Sequence, residues 1–161
     1  MKIITADLRH LETIHRIAKE TWPIAYKNVI SDEQIDFMLS KMYSILALEQ
    51  QMEEGHVFVL LKTKNSNIGF ASYSKDAKSN GYKLQKLYLH PKAQGKGAGK
   101  TLIEEVEKRV KDLGAEYLYL NVNRGNKAYG FYKKMGYDVF EEIDIPYYSF
   151  ILDDYIMRKK L

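Results

Sequence analysis

The sequence contains no cysteine and only four histidines, so oxygen and nitrogen groups must carry any chemistry. Without cysteine, the chain has no disulfide bonds, no thiolate metal ligands and no cysteine nucleophile. The four histidines are scattered and do not show the spacing of metal ligands. We therefore expect no metal site and no covalent cysteine intermediate.

Long apolar runs are also missing. No segment approaches 18 uncharged apolar residues, and the first seven residues lack the apolar core of a secretory signal, so we expect a cytoplasmic protein without a membrane segment. The formal net charge is +4, but basic and acidic residues are interleaved except at Lys92–Lys100 and Arg158–Lys160. This pattern is typical of a solvated surface, and we expect no nucleic-acid partner.

Length and composition indicate one domain spanning residues 1–161. Apolar residues make up 45% of the 161 residues, and there are only three prolines. Such a chain is long enough for one packed core but too short for two domains of ordinary size. No linker, repeat or low-complexity tract divides it.

Hydrophobic periodicity predicts an α/β fold with a mixed sheet of about seven strands. Helical spacing predicts a first helix that begins near Asp7 and ends at Pro23, and a second helical region that begins at Ser31 and breaks near Tyr43 and Ser44. The predicted strands are 2–5, 57–61, 68–74, 82–89, 117–122, 137–145 and 150–159, with later helices at 102–113 and 128–135. The predicted order is therefore βαα βββ α β α ββ.

The strand at 82–89 has an irregular pattern. Its apolar residues change parity between Leu84 and the pair Leu87 and Leu89, which predicts an extra residue near Lys86. A bulge at that position would splay the strand away from a neighbour. Before this strand, Asn80 and Gly81 predict a hairpin turn.

The turn Gln94–Gly99 lies between that strand and an amphipathic helix. Glycines at alternate positions allow backbone N–H groups to converge, and the following helix adds the positive end of its dipole, so the turn predicts phosphate binding. The spacing does not match a dinucleotide fingerprint, and Gln94 stands one residue away from the glycine that a triphosphate P-loop needs. A turn that only connects strand and helix is the alternative.

Gln94, Gly97 and Gly99 match the pattern Gln/Arg-x-x-Gly-x-Gly/Ala, and with this motif the sequence resembles the GCN5-related N-acetyltransferase (GNAT) family. The resemblance extends to the strand Leu87–Leu89 before the motif and to Asn126–Tyr137 after it. Trp22, Pro23 and the helix start Ser31–Gln34 are similar to the branch that includes PaiA-type polyamine acetyltransferases. The resemblance implies a GNAT-like fold with a splayed strand and with helices on both faces of the sheet.

It also implies acetyl-CoA as the cosubstrate and assigns roles to its binding residues. Backbone groups of Leu87, Tyr88 and Leu89 would bind the pantetheine arm. The pyrophosphate would lie against Gln94, Gly95, Lys96, Gly97, Ala98, Gly99 and Lys100. Asn126 would contact the cofactor arm, with Asn121 or Asn123 as alternatives. Tyr132 would protonate the departing CoA thiolate, although its place on an apolar helix stripe also fits a packing role.

The acceptor is implied to be a primary amine that attacks acetyl-CoA directly in a ternary complex. A polyamine or another small cationic amine is one possibility. The candidate residues for binding this acceptor are Glu20, Trp22, Tyr26, Glu142 and Tyr147. Glu141 and Asp144 are further candidate bases, and Tyr148 is a further candidate pocket wall. A catalytically silent CoA-binding module and a protein N-terminal or lysine acetyltransferase are the alternatives. Because family members are often dimers, a homodimer is also expected.

Overall fold

The computed structural model describes residues 1–77 and 79–161. In this part of the chain the strands are β1 (Lys2–Thr5), β2 (Val57–Lys62), β3 (Asn67–Lys75), β4 (Tyr82–Leu89), β5 (Tyr117–Asn123), β6 (Asp138–Tyr147) and β7 (Phe150–Lys160). They form one seven-stranded sheet in the order β1-β2-β3-β4-β5-β7-β6. Among the described strands only β4 and β5 pair in parallel, so the predicted mixed sheet is confirmed, as is the predicted order of helices and strands along the chain.

Helices cover both faces of the sheet, as predicted. They are α1 (Leu11–Ala25), α2 (Asp32–Tyr43), α3 (Ile45–Glu53), α4 (Ala98–Asp112) and α5 (Ala128–Lys134). Alternation along β2 supplies both cores: Phe58 and Leu60 pack with α1–α3, whereas Val59 and Leu61 pack with α4 on the other face. The central strands are therefore apolar on both sides, because both sides are buried.

Serine side chains cap the starts of two helices. Ser31 precedes α2, and its Oγ accepts the Gln34 backbone N–H at 3.1 Å. Ser44 ends α2 and begins α3, with its Oγ accepting the Ala47 N–H at 3.1 Å. The predicted break near Tyr43 and Ser44 is therefore confirmed.

The predicted end of the first helix is wrong. Pro23 lies inside α1, which continues to Ala25. Proline removes one backbone hydrogen bond, and this loss is tolerated here because Pro23 lies in the last turn and Trp22 packs into the core. At the other end, Asp7 caps a short 3₁₀ turn, Leu8–His10, and the regular helix begins only at Leu11.

A bulge in β4 opens the sheet. Ser72 of β3 pairs with Lys86, but Tyr73 pairs with Leu84, so Gln85 is the extra residue. Within the described part of the chain, β4 pairs with β5 only through Tyr82–Leu84, and beyond the bulge it pairs with β3 alone. The predicted bulge and splay are confirmed, one residue before Lys86.

The predicted hairpin between β3 and β4 is also confirmed. The two strands pair antiparallel, and the Asp76 N–H donates to the Gly81 carbonyl at 3.0 Å. Lys78, within this connection, lies outside the described residues.

Candidate active site

The gap between β4 and β5 opens into a cleft of about 880 Å³. Its walls come from the end of α1, from β4 after the bulge, from the glycine turn with the start of α4, and from β5 and α5. The cleft brings together thirteen candidate site residues named from the sequence: Tyr26, Leu87, Tyr88, Leu89, Gln94, Gly95, Gly97, Ala98, Gly99, Lys100, Asn121, Asn126 and Tyr132.

The glycine turn requires glycine for conformational reasons at two positions. Gly95 and Gly97 both have φ of +77°, in the left-handed region that L side chains rarely adopt. A Cβ at either position would meet nothing within 4 Å, so space is not the constraint. Lys96 lies between them but does not line the cleft.

The first turn of α4 presents backbone N–H groups at this end of the cleft. The Thr101 N–H donates to the Gly97 carbonyl at 3.0 Å, which starts the helical hydrogen-bond ladder. The N–H groups of Ala98, Gly99 and Lys100 precede that bond, and such N-terminal groups, with the helix dipole, favour an anion.

Gly99 has a second role that its motif did not indicate. A Cβ there would lie 3.2 Å from the Phe131 ring and 3.4 Å from Leu89 Cδ1. The missing side chain therefore lets α5 and β4 pack closely against α4. This packing holds the two sides of the cleft together.

Tyr26 and Tyr88 form a polar contact in an otherwise aromatic wall. Their hydroxyls lie 2.9 Å apart, and the ring of Trp22 lies 4.4 Å from that of Tyr26 and 5.6 Å from that of Tyr88. Burial raises the pKa of Tyr26, opposed by hydrogen bonds with Tyr88 and Asn126. Burial also raises the pKa of Tyr88 well above its ordinary value, so both hydroxyls stay protonated at neutral pH.

Tyr132 lies where α5 meets both the core and the cleft. Only 7% of the residue is exposed, and its ring lies 5.3 Å from that of Phe131 and 6.0 Å from that of Tyr137. Burial raises the pKa of Tyr132, and the nearby Tyr26 adds to this effect. Tyr132 therefore presents a protonated phenol in the cleft while its ring packs in the core.

The three asparagines near the cleft have different surroundings. Asn126 caps the start of α5 by accepting the Ala128 N–H at 2.9 Å. Asn123 accepts the Gly125 N–H at 2.8 Å and donates to Asp153 at 3.0 Å, and it does not line the cleft. Asn121 lines the cleft and hydrogen-bonds to Asp154, whose pKa is raised mainly by burial.

Four of the five acceptor residues suggested by the sequence do not line the cleft: Glu20, Trp22, Glu142 and Tyr147. Glu20 lies 3.4 Å from His90 Nε2, and Trp22 lies behind Tyr26, 3% exposed. Glu142 and Tyr147 belong to β6, which is separated from β4 by β5 and β7. Glu141, Asp144 and Tyr148 do not line it either.

The charged side chains among the described residues that line the cleft are all basic. Among its described lining residues, the charged ones are Lys27, Lys86, Lys100 and Lys127, and none is acidic. Lys86 is 9% exposed, with Nζ lying 4.9 Å from the centroid of the Tyr43 ring. Burial, with a smaller contribution from Lys83, lowers the pKa of Lys86 to about 8.

From the sequence, Lys86 was identified only as the place of the bulge and not as a functional residue. The available signal was a charged residue in the middle of a strand whose neighbours are mostly apolar or aromatic. The sequence does not show that Lys86 is buried, because the ring that covers it belongs to Tyr43 of α2.

Across residues 1–77 and 79–161, no helix has the length and apolarity needed to cross a membrane. In the same ranges, His, Asp and Glu side chains form no group of three or more that could hold a metal ion.

Comparison with known proteins gives the family. Residues 26–145 match the acetyltransferase (GNAT) domain. The chain is 31% identical to a spermidine N(1)-acetyltransferase of Thermoplasma acidophilum over 166 aligned positions, covering 99% of this chain and 97% of the other. The chain therefore belongs to the GNAT family, whose members are acetyl-CoA-dependent N-acetyltransferases.

Solved structures agree on the fold. The PaiA N-acetyltransferase of Thermoplasma acidophilum, in complex with coenzyme A, superimposes with a TM-score of 0.85 at 30% identity, covering 100% of both chains. A GCN5-related N-acetyltransferase of Rhodopseudomonas palustris gives a TM-score of 0.84 at 21% identity, covering 99% of this chain and 95% of that one. At that lower identity the likeness supports the fold alone.

Proposed function

We propose that residues 1–161 form one N-acetyltransferase domain that transfers acetyl from acetyl-CoA to a primary amine by direct attack in a ternary complex. The observation that carries this proposal is the cleft between β4 and β5. It joins the glycine turn, the unpaired side of β4 and the Tyr132 phenol in one continuous space. An anion site, an extended backbone and a proton donor in this arrangement suit a CoA thioester.

The cofactor would lie along the splayed strand. Beyond the bulge, Leu87–Leu89 pair with β3 on one side, so the opposite edge can bind the amide groups of pantetheine. The turn Gln94–Gly99 and the first N–H groups of α4 would bind the pyrophosphate. Lys100 adds positive charge there, and Asn126 would contact the cofactor arm.

Two groups would act at the thioester. Attack by the amine creates an oxyanion, for which a backbone N–H near Leu89 is the proposed donor. When the carbon–sulfur bond breaks, the Tyr132 hydroxyl would donate a proton to the CoA thiolate. Burial raises the pKa of Tyr132, so the phenol is protonated at neutral pH and has a proton to donate.

For the acceptor we propose a polyamine or another small cationic amine. The similarity to a spermidine N(1)-acetyltransferase supports this choice. Tyr26 and Tyr88 supply aromatic faces in the cleft, and such faces suit an ammonium group. Glu20, Trp22, Glu142 and Tyr147 are proposed to act from outside the cleft.

The decisive experiment measures thiol release from acetyl-CoA with polyamines, amino sugars, amino acids and peptides as acceptors. We expect saturable release with the largest kcat/KM for a polyamine. If peptides gave the largest value, the chain would instead be a protein acetyltransferase. If acetyl-CoA bound but no amine released thiol, a regulatory CoA-binding module would replace the proposal.

We also propose that the protein acts as a cytoplasmic homodimer. Light scattering during size-exclusion chromatography measures the mass in solution, and a monomeric mass at assay concentration would contradict the dimer. Fractionation of the producing cells tests the location.

A further inference from the structure

Lys86 is a buried cation that the mechanism above does not use. It lines the cleft and lies next to the bulged residue Gln85, where β4 leaves β5. Within residues 1–77 and 79–161, no carboxylate forms an ion pair with it, and its recorded contact is the Tyr43 ring, 4.9 Å from Nζ. A buried lysine without an anionic partner is costly and therefore calls for an explanation.

The groups that face Lys86 do not supply the missing negative charge. Lys83, on the same strand, adds positive charge and lowers the pKa of Lys86 further. His56, which precedes β2, has a lowered pKa, mainly because of burial and secondly because of the positive charge of Lys86. It is therefore neutral near pH 7. Tyr43 from α2 keeps a protonated phenol, and the cross-strand neighbour from β3 is Ser72.

A cationic acceptor in the cleft would meet this lysine in the same aromatic surroundings. Two ammonium groups close together in a poorly hydrated site repel strongly, so one of them must lose a proton. Lys86 has the lower pKa and therefore loses its proton first, which leaves a neutral amine beside the acceptor. The acceptor can attack only after it has lost a proton as well. A proton acceptor is required in any case, and the cleft has no carboxylate among its described lining residues.

Resting on the proposed function, we propose that Lys86 is the general base of acetyl transfer. Its neutral Nζ takes one proton from the acceptor ammonium, and the acceptor nitrogen then attacks the thioester carbon. The carbon–sulfur bond breaks, and the thiolate takes the Tyr132 proton. The second proton leaves the nitrogen as the amide forms and restores the phenol, and Lys86 later releases its proton to solvent.

The charge state of Lys86 at neutral pH suits this role. With a pKa of about 8, about a quarter of the Lys86 side chains are neutral at pH 7.5, against about one in a thousand for a lysine of ordinary pKa. A nearby acceptor ammonium would increase the neutral fraction further.

The test is the pH dependence of kcat/KM for spermidine, at saturating acetyl-CoA, for the wild type, Lys86→Met and Lys86→Arg. We expect the wild-type value to rise with an apparent pKa near 8. Lys86→Met should lower kcat by roughly 100-fold at pH 7.5, because the removed group is a base. Its kcat/KM should no longer rise with an apparent pKa near 8. Lys86→Arg should be equally impaired, since a guanidinium stays protonated.

The matched control is Lys75→Met, which removes an exposed lysine from the neighbouring strand β3 and should keep the wild-type profile. The KM for acetyl-CoA should stay within about twofold in all variants, because a base acts on the acceptor. Near-normal activity of Lys86→Arg would assign Lys86 a charge role and overturn the proposal. Transfer of the acetyl group to Lys86 itself, seen by mass spectrometry, would also overturn it.

A second measurement separates this proposal from the proposed function. Labelling the whole protein with acetic anhydride over a pH series, read by peptide mass spectrometry, gives the titration midpoint of each lysine. We expect a midpoint near 8 for Lys86. A midpoint at the usual pKa of lysine would exclude Lys86 as the general base even if the enzyme is active. A wild-type protein without turnover on any amine would instead contradict the proposed function.

Discussion

The two ends of the cleft differ in how they are built. At the end with the glycine turn, neighbouring residues along the chain create the site, and backbone groups of Gly97, Ala98 and Gly99 are its main features. At the aromatic end, side chains from α1, α2 and β4 meet across long distances in the sequence, as Tyr26 meets Tyr88. The first end therefore depends on conformation, and the second depends on packing.

This contrast predicts that substitutions at the two ends will separate cofactor binding from catalysis. The largest effect is expected at Tyr132, where the two ends meet. Tyr132→Phe should lower kcat by roughly 10- to 1000-fold near neutral pH with nearly unchanged acetyl-CoA affinity, because only a proton donor is lost. Turnover and calorimetry measure the two quantities.

Tyr129→Phe is the matched control for that variant. Tyr129 lies on the same helix but packs against Tyr155, with ring centroids 5.2 Å apart, and does not line the cleft. Its turnover should stay within about twofold of the wild type. Full activity of Tyr132→Phe would remove Tyr132 from the catalytic role.

At the glycine end, Gly97→Val should weaken acetyl-CoA binding by roughly 10- to 100-fold, because valine cannot keep φ near +77° without strain and the N–H groups would turn away. Calorimetry with acetyl-CoA measures the affinity. Gly114→Val, at the far end of the same helix with φ of +93°, carries similar strain outside the cleft. An equal loss of affinity in both variants would mean that strain, and not the turn, is responsible.

At the aromatic end, Lys86→Met should raise the free energy of unfolding at pH 7 by on the order of 1 to 3 kcal/mol. The pKa of Lys86 is lowered in the folded state to about 8, so the unfolded chain binds more protons between about pH 8 and 10.5 and wild-type stability rises through that window. Urea unfolding should therefore show the difference at pH 7 and none above about pH 10.5. An equal difference at both pH values would assign it to packing instead.

The smallest effect is expected at Tyr26. Tyr26→Phe removes the hydroxyl contact with Tyr88 and should raise the KM of the acceptor by about threefold while leaving that of acetyl-CoA unchanged. Glu142→Gln, on the distant strand β6, should change neither constant. Steady-state kinetics measures both constants. A larger effect of Glu142→Gln than of Tyr26→Phe would indicate that the acceptor binds at the acidic residues of β6 and not at Tyr26.

Local patterns predicted the fold well because each depended on near neighbours. Ser31 and Ser44 begin helices by capping N–H groups three residues away. The parity change between Leu84 and Leu87 revealed the bulge, since side chains in a strand alternate between faces. The effect of Pro23 was predicted wrongly, because it depends on how close the proline lies to the end of α1.

Two of the candidate residues for binding the acceptor, Glu142 and Tyr147, lie outside the cleft for a topological reason. Glu142 and Tyr147 have suitable chemistry, but β7 is inserted between β5 and β6 and moves them away from β4. Lys86 was missed because its burial depends on Tyr43, which is 43 positions away in the chain and reaches it only through the packing of α2. Neither fact has a local signal.

By itself, the sequence determined the α/β order of elements, the bulge before Leu87 and the glycine conformation at Gly95 and Gly97, because short-range sterics and hydrogen bonds control all three. Only the tertiary structure decided which side chains share the cleft and how much water surrounds them. Desolvation arises when elements pack, and desolvation is what separates the ammonium of Lys86 from that of an ordinary lysine.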